Sequence, residues 1–136
     1  LRFRDNCKAK NIQFHCDVRE NSSAFLDASS VTTLYGNLLS NAAEAAEAST
    51  ERQIELSVIR NAIQSVIVIS VINSCDDPPT PDGNRGFHTR KTDRLLHGVG
   101  LRSIRRIVAK YHGVATMYYD PDNKQFHHVI QFPEPT

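Results

Sequence analysis

The chain has almost no excess charge of either sign. Its 136 residues hold 16 Lys and Arg against 15 Asp and Glu, a formal net charge of +1. A balance this close to neutral argues against a nucleic-acid coat, which would be basic overall. Cysteine is scarce: Cys7, Cys16 and Cys75 are odd in number, far apart, and form no CxxC or Cys/His metal spacing. That excludes a disulfide framework and a zinc cluster, and suits the reduced thiols of a cytosolic protein. Long hydrophobic runs are missing too. The longest, around residues 66–72, is far too short to span a membrane. There is no signal peptide, no internal repeat and no low-complexity tract, so a membrane tether would have to lie outside this stretch. What remains, 40% hydrophobic and 23% charged residues, suits one soluble domain with a single core.

Charge is uneven along the chain. Residues 85–112 carry Arg85, Arg90, Lys91, Arg94, Arg102, Arg105, Arg106 and Lys110 against Asp93 alone, eight minus one, or +7. The rest must then sum to 1 − 7 = −6. A basic segment in a near-neutral chain points to a local anionic ligand.

Periodicity supplies the elements. Residues 1–11 are polar and basic and suit the end of a linker helix. "IQFHCDV", 12–18, alternates Ile12, Phe14, Cys16 and Val18 and reads as a half-buried strand. A helix is expected from about Ser30 to Ala48, with Asp27, Ser29 and Ser30 as candidate caps. "IELSVIR" and "SVIVISVI" read as a strand pair, the second apolar on both faces and so central. Residues 73–97 show no periodicity and hold three prolines and two glycines, as a lid or binding loop would. "HGVGLRSIRRIVAKYHG", 97–113, gives a second helix beginning after the glycines, with Leu101, Ile104, Val108 and Tyr111 as its core face. Gly113 stands where a C-cap glycine belongs. A closing hairpin follows, with Phe126, His128, Ile130 and Phe132 alternating. The order predicts an α+β two-layer sandwich: a mixed, mostly antiparallel sheet with its helices on one face.

Two stretches have the residue types for chemistry. In "YGNLLSNAAEAAEAS", residues 35–49, Asn37, Asn41 and Glu44 form a polar stripe along the edge of the apolar helix face. Asparagine is a mediocre helix former, because its amide competes for backbone hydrogen bonds. Its amide oxygen is a hard, neutral ligand suited to Mg²⁺; the alternative is edge packing with backbone or water partners. In "HGVG", glycines ahead of a helix would let unpaired N–H groups approach a phosphate; the alternative is a plain loop-to-helix junction. The cations just upstream are either phosphate contacts or a solvated loop.

Together these stretches resemble a known family. "LYGNLLSNAAEAAEAS" is similar to the N-box of the GHKL ATPases. "HGVGLRSIRRIVAKYHG" resembles their second glycine box as found in sensor histidine kinases, closest to the peptide quorum-sensing branch. The resemblance spans residues 12–132 and implies the Bergerat ATPase fold, with residues 12–136 as the catalytic domain and 73–97 as its ATP lid. It implies ATP and Mg²⁺ as cofactors, with Asn41 as the metal ligand and Asn37 one turn earlier lining the same site in a proton-transfer role. Glu44 follows one turn later, where some members carry lysine. His97, Gly98, Val99, Gly100 and Leu101 would line the phosphates, and Lys91 matches the lid lysine. Most of these kinases follow the central strand with D-x-G-x-G, whose aspartate accepts from the adenine amine. Here Asn73 stands at that place without the glycines; its amide oxygen can accept, without charge assistance. Asp76 and Asp77 are either substitutes for that acceptor or plain turn residues.

The implied function is transfer of the ATP γ-phosphate to a histidine in a separate dimerisation domain. A response regulator would be an indirect partner, and nucleic acid and membrane would not be contacted. The location would be the cytoplasmic part of a membrane-anchored sensor. The alternatives are a degenerate GHKL interaction module and an anti-sigma-factor type serine kinase.

Overall fold

A computed structural model describes residues 2–19, 23–81, 87–88 and 91–135. The first helix, α1 (Arg2–Ala9), ends where Asn11 takes a left-handed conformation, φ 57°. There the Ile12 N–H reaches the Cys7 carbonyl at 2.8 Å and the Asn11 N–H the Lys8 carbonyl at 3.1 Å. This is a Schellman stop, with buried Cys7 and Ile12 as its hydrophobic pair. Strand β1 (Gln13–Val18) follows, then α2 (Ala28–Glu47). Of the three candidate caps the structure selects Asp27, whose carboxylate accepts the Ser30 N–H at 2.8 Å.

Strands β2 (Gln53–Asn61) and β3 (Val66–Ser74) form the expected hairpin. A short pair, β4 (Thr80–Pro81) and β5 (Phe87–His88), comes next. Helix α3 (Lys91–Lys110) precedes the closing hairpin β6 (Val114–Asp120) and β7 (Gln125–Pro133). The five-stranded sheet runs β1-β2-β3-β7-β6. β1 lies parallel to β2, and every other neighbour is antiparallel. The mixed, mostly antiparallel sheet of the α+β reading is therefore present. β3, the strand read as central, is the middle one.

One face of the sheet is buried. Ile54, Leu56 and Val58 of β2, Ile67, Ile69 and Val71 of β3, and Ile130 and Phe132 of β7 alternate onto it. Leu34, Leu38 and Ala42 of α2 and Leu101, Ile104 and Val108 of α3 close the core from the helix side. β1 is less covered than its alternation suggests. Phe14 is half-buried against Phe3, but Cys16 and Val18 are exposed. As an edge strand, β1 extends past the helices that would cover its far end.

The start of α3 also differs from the sequence reading. The helix begins at Lys91, so His97, Gly98, Val99 and Gly100 lie inside it rather than ahead of it. It also takes in the last part of the 73–97 stretch read as lid. Residues 91–96, "KTDRLL", supply Lys, Arg and two Leu as good helix formers, and Asp93 suits the first turn. Each internal glycine costs only about 1 kcal/mol against alanine, which continued helical bonding outweighs. Arg85 and Arg90 lie outside the described residues.

At the other end, the left-handed residue is His112, φ 60°, not Gly113. The Gly113 N–H reaches the Val108 carbonyl at 2.7 Å and the His112 N–H the Ala109 carbonyl at 3.1 Å, a second Schellman stop. Gly113 serves a different need. A Cβ there would stand 2.7 Å from Phe132 Cδ1 and 2.8 Å from the Gln131 carbonyl oxygen.

Candidate nucleotide site

The polar stripe of α2 lies where the helix leaves the core. Asn37, Asn41 and Glu44 are each half-buried, beside the fully buried Leu34, Leu38 and Ala42. The Asn37 side chain is oriented by its own helix: Nδ2 donates to the Thr33 carbonyl at 2.7 Å. That bond leaves Oδ1 as the group presented outward. Oδ1 faces α3, and a Cβ built on Gly100 would stand only 2.8 Å from it. Gly100 is therefore the residue that lets α3 come so close to this amide. The two sequence stretches, far apart in the chain, meet at this point.

Asn73 closes the buried face of β3. It is 4% exposed and lies in register with Ile54 on one side and Phe126 on the other. Its Nδ2 donates to the Ser74 carbonyl at 2.9 Å, so Oδ1 is again the acceptor left over. Asp76 has another task. Its carboxylate accepts the Thr50 N–H at 3.0 Å and the Thr50 hydroxyl at 2.8 Å. Those bonds hold its carboxyl below the usual carboxylate range. Asp76 thus pins the turn after β3, the second of the two roles open to it. Leu101 sits in the hydrophobic core, so its side chain packs rather than presenting a polar group. His97, Gly98 and Val99 are part of α3, and Lys91 is its first residue.

Sequence reading missed the framework that fixes these parts. Ser49, just past α2, donates its hydroxyl to the Ala46 carbonyl at 2.7 Å and accepts the Arg52 N–H at 3.0 Å. Its Oγ lies 2.6 Å from Ser74 Oγ, which in turn accepts the Gln53 N–H at 2.8 Å. Both serines are buried. This chain ties the end of α2 to the end of β3 and sets the Asn41 and Glu44 turns relative to Asn73. From β6, the Tyr119 hydroxyl donates to the Cys75 carbonyl at 2.9 Å and holds the same turn from the other side. Serines at element ends look like ordinary turn residues in sequence, and only the long-range pairing distinguishes them.

Comparison with known proteins agrees with this fold. The sequence profile of the GHKL domain family matches residues 26–133. No relative among curated proteins matches the chain in sequence. Among solved structures, the chain is similar to the catalytic domain of the histidine kinase ThkA, with TM-score 0.67 and 21% identity over 97% of this chain and 86% of that one. It is likewise similar to a mycobacterial sensor histidine kinase, MprB, with TM-score 0.68 and 19% identity over 99% and 89% of the two chains. The full-length kinase ShkA, solved with AMPPNP, aligns with TM-score 0.69 and 15% identity over 98% of this chain and 28% of its own. The profile match covers most of the chain and includes Asn37, Asn41, Asn73 and Gly100, and the chain belongs to the GHKL domain family, with the fold of histidine kinase catalytic domains.

Proposed function

We propose that this domain binds Mg·ATP and presents its γ-phosphate to a histidine on a separate domain of the same sensor kinase. The observation that carries the reading is the meeting of Asn37 Oδ1 with Gly100, which joins the asparagine stripe to the glycine box. The donor set fits the ligand. Mg²⁺ on a nucleotide keeps several waters and needs only one or two protein oxygens, and neutral amide oxygens line the stripe. Asn41 would hold the metal, while Asn37, fixed by Thr33, would line the same space. Asn73 would accept the adenine amine through Oδ1, and Glu44 would border the metal. Bound Mg·ATP would supply the phosphoryl group and the divalent charge that neutralises it. The protein's own contribution would be positioning and electrostatics.

The amide of Asn73 carries no charge, so its bond to adenine is weaker than a carboxylate's. A nucleotide ligand is in keeping with ShkA, which shares this fold and was solved with AMPPNP. Gly98, Val99 and Gly100 would contact phosphate through backbone N–H groups, which requires α3 to open ahead of them, since only the first four N–H groups of a helix are free. Lys91 and His97 would follow that opening. The phosphoacceptor domain is the direct partner, with a response regulator downstream. No described helix is long and apolar enough to cross a membrane, so anchoring would come from another part of the sensor.

Calorimetric titration with Mg²⁺ and a non-hydrolysable ATP analogue tests the reading. Binding is expected, with loss in Asn41→Ala. Absence of binding at millimolar nucleotide would overturn the proposal in favour of a nucleotide-independent interaction module.

A further inference from the structure

Helix α3 lies over the β6–β7 end of the sheet. β6 is the edge strand, and its inward residues Ala115 and Met117 do not fill the space beneath the helix. A cavity of about 400 Å³ remains between α3 and the β6–β7 hairpin. That volume is within the range of small-molecule pockets, about 300–1,000 Å³. Ile104 and Val108 wall it from α3, and Ala115 and Met117 from β6.

Two polar groups enter this apolar space. Arg105 lies on the exposed flank of α3 and lines the cavity. His128 lines it from β7 and is only 7% exposed. Burial, and then the neighbouring Arg105 charge, push the His128 pKa down to about 4. At pH 7 the ring is therefore neutral, with one N–H to donate and one nitrogen to accept.

We propose that this cavity binds a small organic carboxylate with an apolar body. The guanidinium of Arg105 offers a planar fork that matches a carboxylate, and the His128 N–H gives a second donor deeper in. The apolar walls take the hydrocarbon or aromatic body and disfavour a compact multivalent anion such as phosphate, which would lose its hydration against them. The site lies on the flank of α3 facing β6, whereas the Asn37 contact uses Gly100, facing α2. It stands independently of the nucleotide reading.

Met117 is the only methionine in the chain, so its ¹³C-methyl resonance reports on this cavity alone. Benzoate, hexanoate and the neutral benzamide are titrated into the labelled full chain and into its Arg105→Gln variant. A saturable shift of the Met117 methyl by benzoate or hexanoate is expected, with benzoate at least about tenfold tighter than benzamide. Arg105→Gln, a surface change, should abolish that preference while leaving the other methyl resonances in place. No saturable shift with either carboxylate up to about 20 mM would overturn the proposal. So would equal binding of benzamide, or a carboxylate preference that survives in Arg105→Gln.

Discussion

Gly36, Gly100 and Gly113 each leave out the same atom, in three different surroundings. Around Gly36, mid-helix in α2 and exposed, a Cβ would meet nothing within 4 Å. Gly36→Ala should therefore stabilise the fold, by up to about 1 kcal/mol, through helix propensity alone. At Gly113 the same atom would stand 2.8 Å from the Gln131 carbonyl and 2.7 Å from buried Phe132. Backbone and a packed ring cannot yield cheaply, so Gly113→Ala should cost about 1–3 kcal/mol. Denaturant midpoints of the two variants should move in opposite directions, and a neutral Gly113→Ala would refute the packing argument. At Gly100 the obstacle is the end of the Asn37 amide, which can rotate, so alanine there disturbs the site more than the fold. The sequence marked Gly113 correctly as the end of a helix but for the wrong reason. The left-handed turn falls on His112, and the steric demand comes from β7, which no local pattern reveals.

The two long helices are joined at one end by a carboxylate. Asp27 caps α2, and its other oxygen receives the Lys110 ammonium at 2.7 Å and the Tyr111 hydroxyl at 2.6 Å, both from the end of α3. Lys110 first, then Tyr111 and Ser30, hold its carboxyl well below the usual carboxylate range. The sign follows from the depressed value. The stabilisation is complete above the unfolded pKa, about 3.9, and is lost as pH falls below it toward the folded value. Asp27→Asn keeps an oxygen for the Ser30 N–H but loses the pairing with Lys110. It should melt at a lower temperature than the parent at pH 7 and lose less stability than the parent below about pH 4. Parallel thermal melts in that window check this, and an unchanged acid limb would remove Asp27 from the account. The cap itself was legible, since acidic and hydroxyl residues precede an apolar-periodic run. The partner was not, because Lys110 lies 83 positions away in sequence. The early start of α3 was hidden for a related reason. Glycines punctuate local patterns, but a helix already stabilised on both sides can absorb them.

At the scale of the molecule, what was legible followed from the period of the apolar residues. Alternation marked β2 and β7, a run apolar on both faces marked β3, the 3.6-residue period marked α2 and α3, and their order implied a sheet with helices on one face. Strand order was not legible. β7 rather than β6 pairs with β3, and the choice rests on which strand of the last hairpin has more apolar surface to bury. The same order sets a gradient of stability. β3 has a neighbour on both sides and buries Ile67, Ile69, Val71 and Asn73. β1 pairs only with β2, and five of its six residues are exposed. Its attachment rests on the Phe3–Phe14 contact and on Arg52, whose guanidinium donates to the Lys10, Asn11 and Glu47 carbonyls. Opening β1 with α1 would leave the β2-β3-β7 core and its helices paired, so it needs less free energy than global unfolding. Native-state hydrogen exchange should show β3 and β7 amides exchanging only with global unfolding, and β1 amides exchanging at least about tenfold faster. The difference should narrow in Phe14→Ala as β1 approaches the exchange of free chain, while β3 protection holds. Equal opening free energies for β1 and β3 would instead mean a single cooperative unit, in which the parallel edge strand is as integral to the fold as its centre.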